Sequence, residues 1–307
     1  MHILSDYMQN EISRFYEYIA SVERYSDNTK QSYQNDIDGF AFFILKTYEI
    51  SEISHISHFH IRSWIVSLMD AKSSTRTVHR KISSLSTFFK YLRKMEGLKA
   101  DPMKKIVRPK SQKRLPIVIP EGDLSKNLSL NPVKEDDYIE VMSFLMMNLL
   151  YSAGLRRSEL IGLEENDIDR DRMLIKVIGK GKKERFVPIS HDIVNMIDNF
   201  RRVKLLTFKH QDFNLLFLTV HGKPVYPKLV YNIVNGQLKS IPNLERKSPH
   251  ILRHSFATHL SDAGADINAI KMLLGHSSLA ATQVYMHNAP HRLKAVYNKS
   301  HPRADKS

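Results

Sequence analysis

The second half of the sequence carries six side chains suited to one kind of chemistry, spread over five short segments. They are Arg156, Lys180, His250, Arg253, His276 and Tyr285. Two guanidiniums can bind the non-bridging oxygens of a phosphodiester and stabilise the charge of a pentacovalent transition state. A phenol can attack the phosphorus and form a phosphotyrosine, an ammonium can protonate the departing oxygen, and imidazoles can bind phosphate or move protons. The set predicts phosphoryl transfer without a metal ion.

Other chemistries lack their usual residues. The chain has no cysteine, which excludes disulfides, thiolate zinc sites and a cysteine nucleophile. His250 and His254 have a spacing that suits a shared metal, but Arg253 lies between them and no glutamate follows His250. No glycine pattern for a nucleotide or dinucleotide is present. We therefore expect neither a metal site nor a cofactor.

Positive charge is concentrated in one stretch of the chain. The formal net charge is +14, of which residues 61–114 contribute +12, residues 1–60 −5 and residues 115–307 +7. Serine and threonine are interleaved with the cations in KSSTRTVHRKISSLSTFFK, as on surfaces that bind a phosphate backbone. Apolar runs are too short to span a bilayer, and the first residues lack a secretion signal. We predict a cytoplasmic protein whose partner is nucleic acid and not a membrane.

The elements that must position these residues fall into two domains. Apolar residues at helical spacing predict a four-helix domain over residues 1–100. The first helix contains EISRFYEYIASV and stops before Tyr25, and the other three end near residues 48, 69 and 96. The segment ADPMKKIVRPKSQKRLPIVIP, residues 100–120, holds four prolines and a run of cations, and we place the interdomain linker at residues 101–118. Residues 119–307 form the second domain. The fold class is mainly α, with a small antiparallel β-sheet in the second domain.

Within the second domain, alternation around Gly-Lys-Gly predicts a hairpin that turns near residues 179–183 and carries Lys180. Residues 215–220 read as a short strand or a buried turn. Helices are predicted over residues 134–153, 190–206, 226–238, 250–263, 266–274 and 287–298. Arg156 is expected just after the glycine that ends the first of these. The alternative for Arg156 and Glu159 is a surface pair three residues apart on a helix.

Four motifs in order resemble the catalytic domain of the tyrosine recombinases, the phage integrase family. They are GLRRSEL, VIGKGKKERFVPI, SPHILRHSFATHL and GADINAIKMLLGHSSLAATQVY. The chain is especially similar to the bacterial Xer subgroup, down to the closing HPRA, and the resemblance covers roughly residues 10–303. The helical N-terminal part fits the family's core-binding, SAM-like DNA-binding domain.

The resemblance implies a role for the nucleophile and its proton-transfer partners. Tyr285 would attack a scissile phosphate and leave a 3′-phosphotyrosyl link with a free 5′-hydroxyl. Lys180 would be the general acid toward the 5′-oxygen. His250 would assist proton transfer involving the tyrosine, and His276 would hydrogen-bond the phosphate. The covalent link stores the bond energy, so strand exchange needs no ATP.

The resemblance also assigns the arginines. Arg156 and Arg253 would hold the phosphate, and Arg156 matches the family's GLR motif better than Arg157, which would touch backbone or solvent. Glu159 would support the arginines. Base-reading side chains are expected on the helices near residues 74–96 and 226–238.

The family's mode of action implies partners as well. Such enzymes work as tetramers on two DNA duplexes, so we expect double-stranded DNA with a specific site, a homo- or hetero-tetramer with a related recombinase, and activation by a DNA translocase. Each subunit would clamp the duplex between its two domains. The helix after Tyr285 would dock either in a neighbouring subunit or on its own domain.

Three biological roles remain open at this point. The preferred one is Xer-type resolution of chromosome dimers, because residues 1–10 lead straight into helices without an additional domain. The alternatives are an integrase or excisionase of a mobile element and a DNA-binding relative that does not cleave.

Overall fold

The computed structural model describes residues 6–22, 25–110, 117–129, 136–179, 183–209, 213–242, 244–245, 247–275 and 289–304. The chain forms two compact units, residues 1–114 and 115–307, which divide inside the predicted linker of residues 101–118. Across the ranges described, no helix combines the length and apolar character needed to cross a bilayer.

The first unit is helical, as predicted. Its α-helices are α1 (Asp6–Ser21), α2 (Asp27–Tyr48), α3 (His58–Asp70) and α4 (Thr75–Met95). Each buries an apolar stripe, and the aromatic side chains Phe15, Phe40, Trp64 and Phe88 meet in the core. The Ser74 hydroxyl caps α4 by accepting from the Thr77 amide, and Gly97 beyond its end has φ +72°. That left-handed conformation favours glycine and lets the chain leave the helix.

A buried carboxylate fixes α4 to α2. Asp36 is fully buried and accepts hydrogen bonds from Arg80, from Lys81 at 3.0 Å and from the Ser84 hydroxyl at 2.8 Å. A buried charge is tolerated only when it is paired and hydrogen-bonded, and these three α4 side chains meet that need. The basic face of α4 is thereby held in place while other cations of the helix, Arg76 and Lys90 among them, stay exposed.

The first part of the predicted linker packs on this unit. Arg93 pairs with Asp101 at 2.6 Å, the Arg62 guanidinium donates to the Lys105 carbonyl at 2.9 Å, and His79 Nε2 lies 2.6 Å from the Pro109 carbonyl oxygen. The exposed cations of residues 104–110 therefore extend the basic surface of the first unit.

The second unit contains eight further helices and a small sheet within the described residues. Its helices are α5 (Glu121–Ser129), α6 (Tyr138–Ser152), α7 (Arg157–Ile161), α8 (His191–Thr207), α9 (Pro227–Gln237), α10 (Pro249–Asp262), α11 (Ile267–Leu274) and α12 (Ala289–Ser300). Its strands are β1 (Ile168–Asp169), β2 (Leu174–Ile178) and β3 (Glu184–Pro188), antiparallel in the order β1-β2-β3. The mainly α fold with a small antiparallel sheet is confirmed, whereas α5, α7 and β1 were not predicted.

Helix α6 is the centre of the second unit. Nearly all of its side chains are buried, and it packs against α8 and α10. Residues 215–220, read from the sequence as a strand or buried turn, make single bridges, Glu164 with Leu215 and Leu218 with Pro224. In the sheet, Val177 lies opposite Arg185 and Ile175 opposite Val187, so these four side chains share one face.

The C-terminal segment packs on its own unit. Tyr297 is fully buried and its ring stacks on His301 with centroids 4.7 Å apart. Arg303 donates to the Leu128 carbonyl at 2.9 Å. Burial, with the nearby charges of His259 and Arg303, lowers the pKa of His301 to about 3, so the ring is neutral at pH 7. In the single chain this segment packs on its own domain, and docking of the tail helix in a neighbouring subunit stays a prediction.

Candidate active site

Arg156 follows a sharp turn at the end of α6. The turn is made by Gly154 with φ +55°, as expected for a glycine that ends a helix. Arg156 then occupies the N-cap position of α7, a helix that the sequence did not predict. Its backbone amide is one of the donors that a helix start leaves without an intrahelical partner. The Glu159 carboxylate accepts from that amide at 2.7 Å.

The Glu159 carboxylate is the centre of a cluster of arginines. Its Oε1 accepts from Arg156 Nη1 at 2.6 Å and from Arg185 Nη1 at 2.8 Å. Its Oε2 accepts from the Arg156 amide at 2.7 Å and from Arg185 Nη2 at 2.8 Å. Both oxygens thus have two donors each, and the side chain is 2% exposed. The alternative of an ordinary surface pair between Arg156 and Glu159 is wrong, because the carboxylate is buried.

Arg253 reaches the same cluster from α10. Its side chain is 10% exposed, and Nη1 lies 3.8 Å from Glu159 Oε2. Nη1 also donates to the Gly154 carbonyl at 2.5 Å, and Nη2 donates to the Leu274 carbonyl. The structure therefore brings together the two arginines, Arg156 and Arg253, that the sequence separates by almost a hundred residues.

Three guanidiniums close the C-terminal end of α11. The carbonyl of Leu273 accepts from Arg185 Nε at 2.8 Å, that of Leu274 from Arg253, and that of Gly275 from Arg156 Nη2 at 3.1 Å. The last carbonyls of a helix have no intrahelical donors and carry partial negative charge, which cations stabilise. The three arginines thus fix the chain just before His276.

The charges of the cluster shift each other's protonation. Burial alone would raise the pKa of Glu159, but the hydrogen bonds and charge of Arg185, together with those of Arg156, outweigh it and lower the pKa to about 2. Burial and repulsion from Arg156 and Arg185 lower the pKa of Arg253 to about 10, against the attraction of Glu159. At pH 7 the cluster holds three cations and one anion, and this excess of positive charge favours the approach of a further anion.

His250 lies at the start of α10, one turn before Arg253. Ser248 is the N-cap residue and Pro249 is the first residue of the helix, a position where proline is favoured because its missing amide hydrogen is not needed. The His250 side chain is exposed.

Lys180, His276 and Tyr285 lie outside the described residues, but two of their neighbours lie at the cluster. Gly179 donates its amide to the Lys183 carbonyl at 2.7 Å and closes the predicted hairpin just before Lys180. A Cβ at Gly179 would lie 3.8 Å from Glu159 Oε1 and 3.9 Å from Arg156 Nη1. Gly275, which precedes His276, accepts from Arg156.

One residue of the cluster, Arg185, was missed by reasoning from the sequence. Alternation along β3 places Arg185 on the same sheet face as Val187, which is fully buried. A cation on the buried face of a strand needs an anionic partner. In the sequence that signal was ambiguous, because Phe186 and Val187 are both apolar and only the structure shows that Val187 lies on the buried face.

The conformation and surroundings of Gly154 predict how a substitution at this residue changes stability. A Cβ at this residue would lie 2.6 Å from the buried Phe256 ring, and φ is +55°. We expect Gly154→Ala to lower the free energy of unfolding by about 3 kcal/mol, because left-handed strain and overpacking add. The matched control is Gly264→Ala, where φ is +81° but nothing lies within 4 Å, with an expected loss of about 1 kcal/mol. Urea unfolding followed by circular dichroism measures both losses, and equal losses would contradict the prediction.

Comparisons with known proteins place the chain in a family. The model of the Phage integrase family matches residues 127–292, and that of the Phage integrase, N-terminal SAM-like domain matches residues 12–96. Tyrosine recombinase XerC of Leptospira interrogans serogroup Icterohaemorrhagiae serovar copenhageni is 33% identical over 303 residues, which are 98% of this chain and 96% of that protein.

A second relative and a solved structure agree with this placement. Tyrosine recombinase XerD of Staphylococcus haemolyticus is 30% identical over 97% of this chain and all of that protein. The structure of XerH site-specific recombinase bound to palindromic difH substrate has the same fold, with a TM-score of 0.71 at 20% identity over 96% of this chain and 89% of the other. The chain belongs to the phage integrase family and is a Xer-like tyrosine recombinase, an enzyme that cleaves and rejoins DNA.

Proposed function

We propose that the chain performs site-specific recombination in the resolution of chromosome dimers, with the arginine cluster as the site that holds the scissile phosphate. The observation that carries the site assignment is the meeting of Arg156 and Arg253 at the Glu159 carboxylate. Full-length relatives named XerC and XerD support the Xer-type role over that of a mobile-element integrase. The predicted location in the cytoplasm stays a prediction.

The proposed reaction is a transesterification at phosphorus. The Tyr285 phenol oxygen attacks the phosphate, the bond from phosphorus to the 5′-oxygen breaks, and a 3′-phosphotyrosyl link forms. Lys180 gives its proton to the leaving 5′-oxygen, while His250 assists removal of the phenol proton. In the second half, the 5′-hydroxyl of another strand attacks and Tyr285 leaves. The number of phosphodiester-type bonds is conserved in each step, so the proposal needs no energy source.

The arginines act on the charge of the phosphate. A phosphodiester carries one negative charge, and the pentacovalent transition state carries more on its non-bridging oxygens. Arg156 and Arg253 stabilise that increase because their positions are fixed before DNA binds, by Glu159 and by the carbonyls at the end of α11. His276 follows directly on Gly275 and adds a hydrogen bond to the same oxygens.

The basic surface of the first unit supplies the DNA affinity. Exposed cations on α4 and in residues 104–110 bind the phosphate backbone, while α4 and α9 read bases. Along α9, the side chains of Lys228 and Asn232 are exposed and offer hydrogen-bond donors of the kind used in a major groove. The proposal includes a tetramer, either of this chain or with a related recombinase, and activation by a DNA translocase.

The testing experiment traps the covalent intermediate. A duplex that contains the recombination site and a nick next to the scissile phosphate loses a short fragment after cleavage, so the covalent adduct accumulates. Peptide mass spectrometry of the adduct should locate the phosphodiester on Tyr285, with and without EDTA. Attachment at another residue, or site-specific binding without any adduct, would refute the proposal. Tyr285→Phe is the control for non-specific cross-linking.

A further inference from the structure

Arg185 is the most completely engaged guanidinium of the cluster, although it is not one of the six predicted site residues. Its Nη1 and Nη2 donate to the two oxygens of Glu159, both at 2.8 Å, and its Nε donates to the Leu273 carbonyl at 2.8 Å. The side chain is 10% exposed. Such a two-pronged, buried arginine–carboxylate pair is among the strongest hydrogen-bonded arrangements that side chains form.

The pairing of Arg185 with Glu159 affects how far the carboxylate engages the other two guanidiniums, and so how available these are to a ligand. Arg156 donates one side-chain hydrogen bond, from Nη1, to Glu159. Arg253 Nη1 lies 3.8 Å from Glu159 Oε2, too far for a hydrogen bond. The Glu159 carboxylate that would otherwise bind Arg253 already accepts a hydrogen bond from Arg185 at each of its two oxygens. The two phosphate-binding arginines therefore face a carboxylate whose charge is largely balanced by a third cation.

We propose that Arg185 is a positioning residue for DNA cleavage, which occupies the Glu159 carboxylate so that Arg156 and Arg253 stay available to the scissile phosphate. The inference rests on the proposed function, because it assumes that these two arginines hold the phosphate. Without Arg185, Glu159 would draw Arg253 from 3.8 Å into direct contact and compete with the phosphate for both guanidiniums.

A purely structural role for Arg185 makes a different prediction. If Arg185 only stabilised the fold, removal of the Glu159 charge would help a variant that lacks Arg185 only by raising its folded fraction, and the cleavage rate per folded molecule would not rise. If Arg185 acts by occupying the carboxylate, replacing Glu159 by neutral glutamine removes the competitor. The second change should then restore cleavage that the first change lost.

The experiment measures single-turnover cleavage of the nicked duplex by four full-length proteins. They are the wild type, Arg185→Gln, Glu159→Gln and the double variant. We expect Arg185→Gln to slow cleavage on the order of 100-fold, the scale of a small misplacement of catalytic groups, with duplex affinity within a few-fold of the wild type. The double variant should cleave at least roughly 10-fold faster than Arg185→Gln, on the same scale. Arg202→Gln, which removes an exposed arginine paired with Asp136 at 2.9 Å, is the matched control.

If Arg185→Gln does not fold, Arg185→Lys provides a second test of the same inference. Lysine retains the charge but cannot span both carboxylate oxygens, so its rate should fall between those of Arg185→Gln and the wild type, and adding Glu159→Gln to it should again speed cleavage. Cleavage by Arg185→Gln at the wild-type rate, or a double variant no faster than the single one, would overturn the inference. A wild type that forms no adduct on Tyr285 would instead refute the proposed function.

Discussion

Arg253→Lys should slow DNA cleavage on the order of 1000-fold while leaving duplex binding nearly unchanged. Arg253 donates from two nitrogens to two carbonyls, those of Gly154 and Leu274, and the proposed function adds the scissile phosphate as a further acceptor. A lysine keeps the charge, but its one nitrogen cannot reproduce the separate positions of Nη1 and Nη2 at the two carbonyls and bind the phosphate as well. The lost hydrogen bond acts mainly on the transition state, where the phosphate oxygens carry more charge.

Single-turnover cleavage of the nicked duplex measures this loss, and a gel-shift titration measures binding. Arg202→Lys, at an exposed arginine of α8, serves as the control and should cleave at the wild-type rate. Binding should hold because we expect most duplex affinity to come from the basic surface proposed to bind the phosphate backbone in the first unit. A rate for Arg253→Lys within tenfold of the wild type would contradict the assignment of Arg253 to the phosphate.

Glu159→Gln should destabilise the second unit by about 3 kcal/mol at pH 7. The pKa of Glu159 is lowered from 4.5 to about 2, and each pKa unit corresponds to about 1.4 kcal/mol. Because the folded-state pKa is lowered, this stabilisation is complete above pH 4.5 and is lost as the pH falls toward 2. The difference in unfolding free energy between wild type and variant should therefore shrink to less than half at pH 3.

The two units allow an internal control for this measurement. Trp64, the only tryptophan in the sequence, lies in the first unit, so its fluorescence reports that unit, whereas circular dichroism reports both. Glu159→Gln should shift the dichroism transition in urea and leave the fluorescence transition in place. Glu184→Gln, at an exposed carboxylate of β3, should change stability by less than about 0.5 kcal/mol. A pH-independent difference would show that the charge of Glu159 is not what stabilises the unit.

The sequence predicted the long helices well because each buries a full apolar stripe. The four helices of the first unit and α6, α8, α9, α10 and α11 follow the expected spacing within a few residues. It missed α7 because five residues, Arg157–Ile161, are too few to show a period. It missed α5 because Glu121–Ser129 is mostly polar, with Leu124 and Leu128 as its buried anchors.

The types of the site residues could be predicted from the sequence, but the contacts between these residues could not. Arg156 and Arg253 could be chosen from their motifs, but their common contact with Glu159 depends on how α7 and α10 pack. The role of Arg185 depends on a strand register, Val177 opposite Arg185, that turns its side chain toward the core. The bonds to the carbonyls of Leu273 to Gly275 involve backbone atoms, on which side-chain patterns carry no information.

The end of α11 also sets a limit on how this protein can change in length. Three successive carbonyls each meet a different arginine, contributed by β3, α10 and the start of α7. Deleting or inserting one residue in α11 would rotate its last turn by about 100° and move it by about 1.5 Å, so all three matches would fail together. A substitution in α11 affects single contacts and can be compensated by a second substitution. A change in the length of α11 disturbs all three contacts at once. We therefore expect insertions and deletions among homologues to avoid this helix.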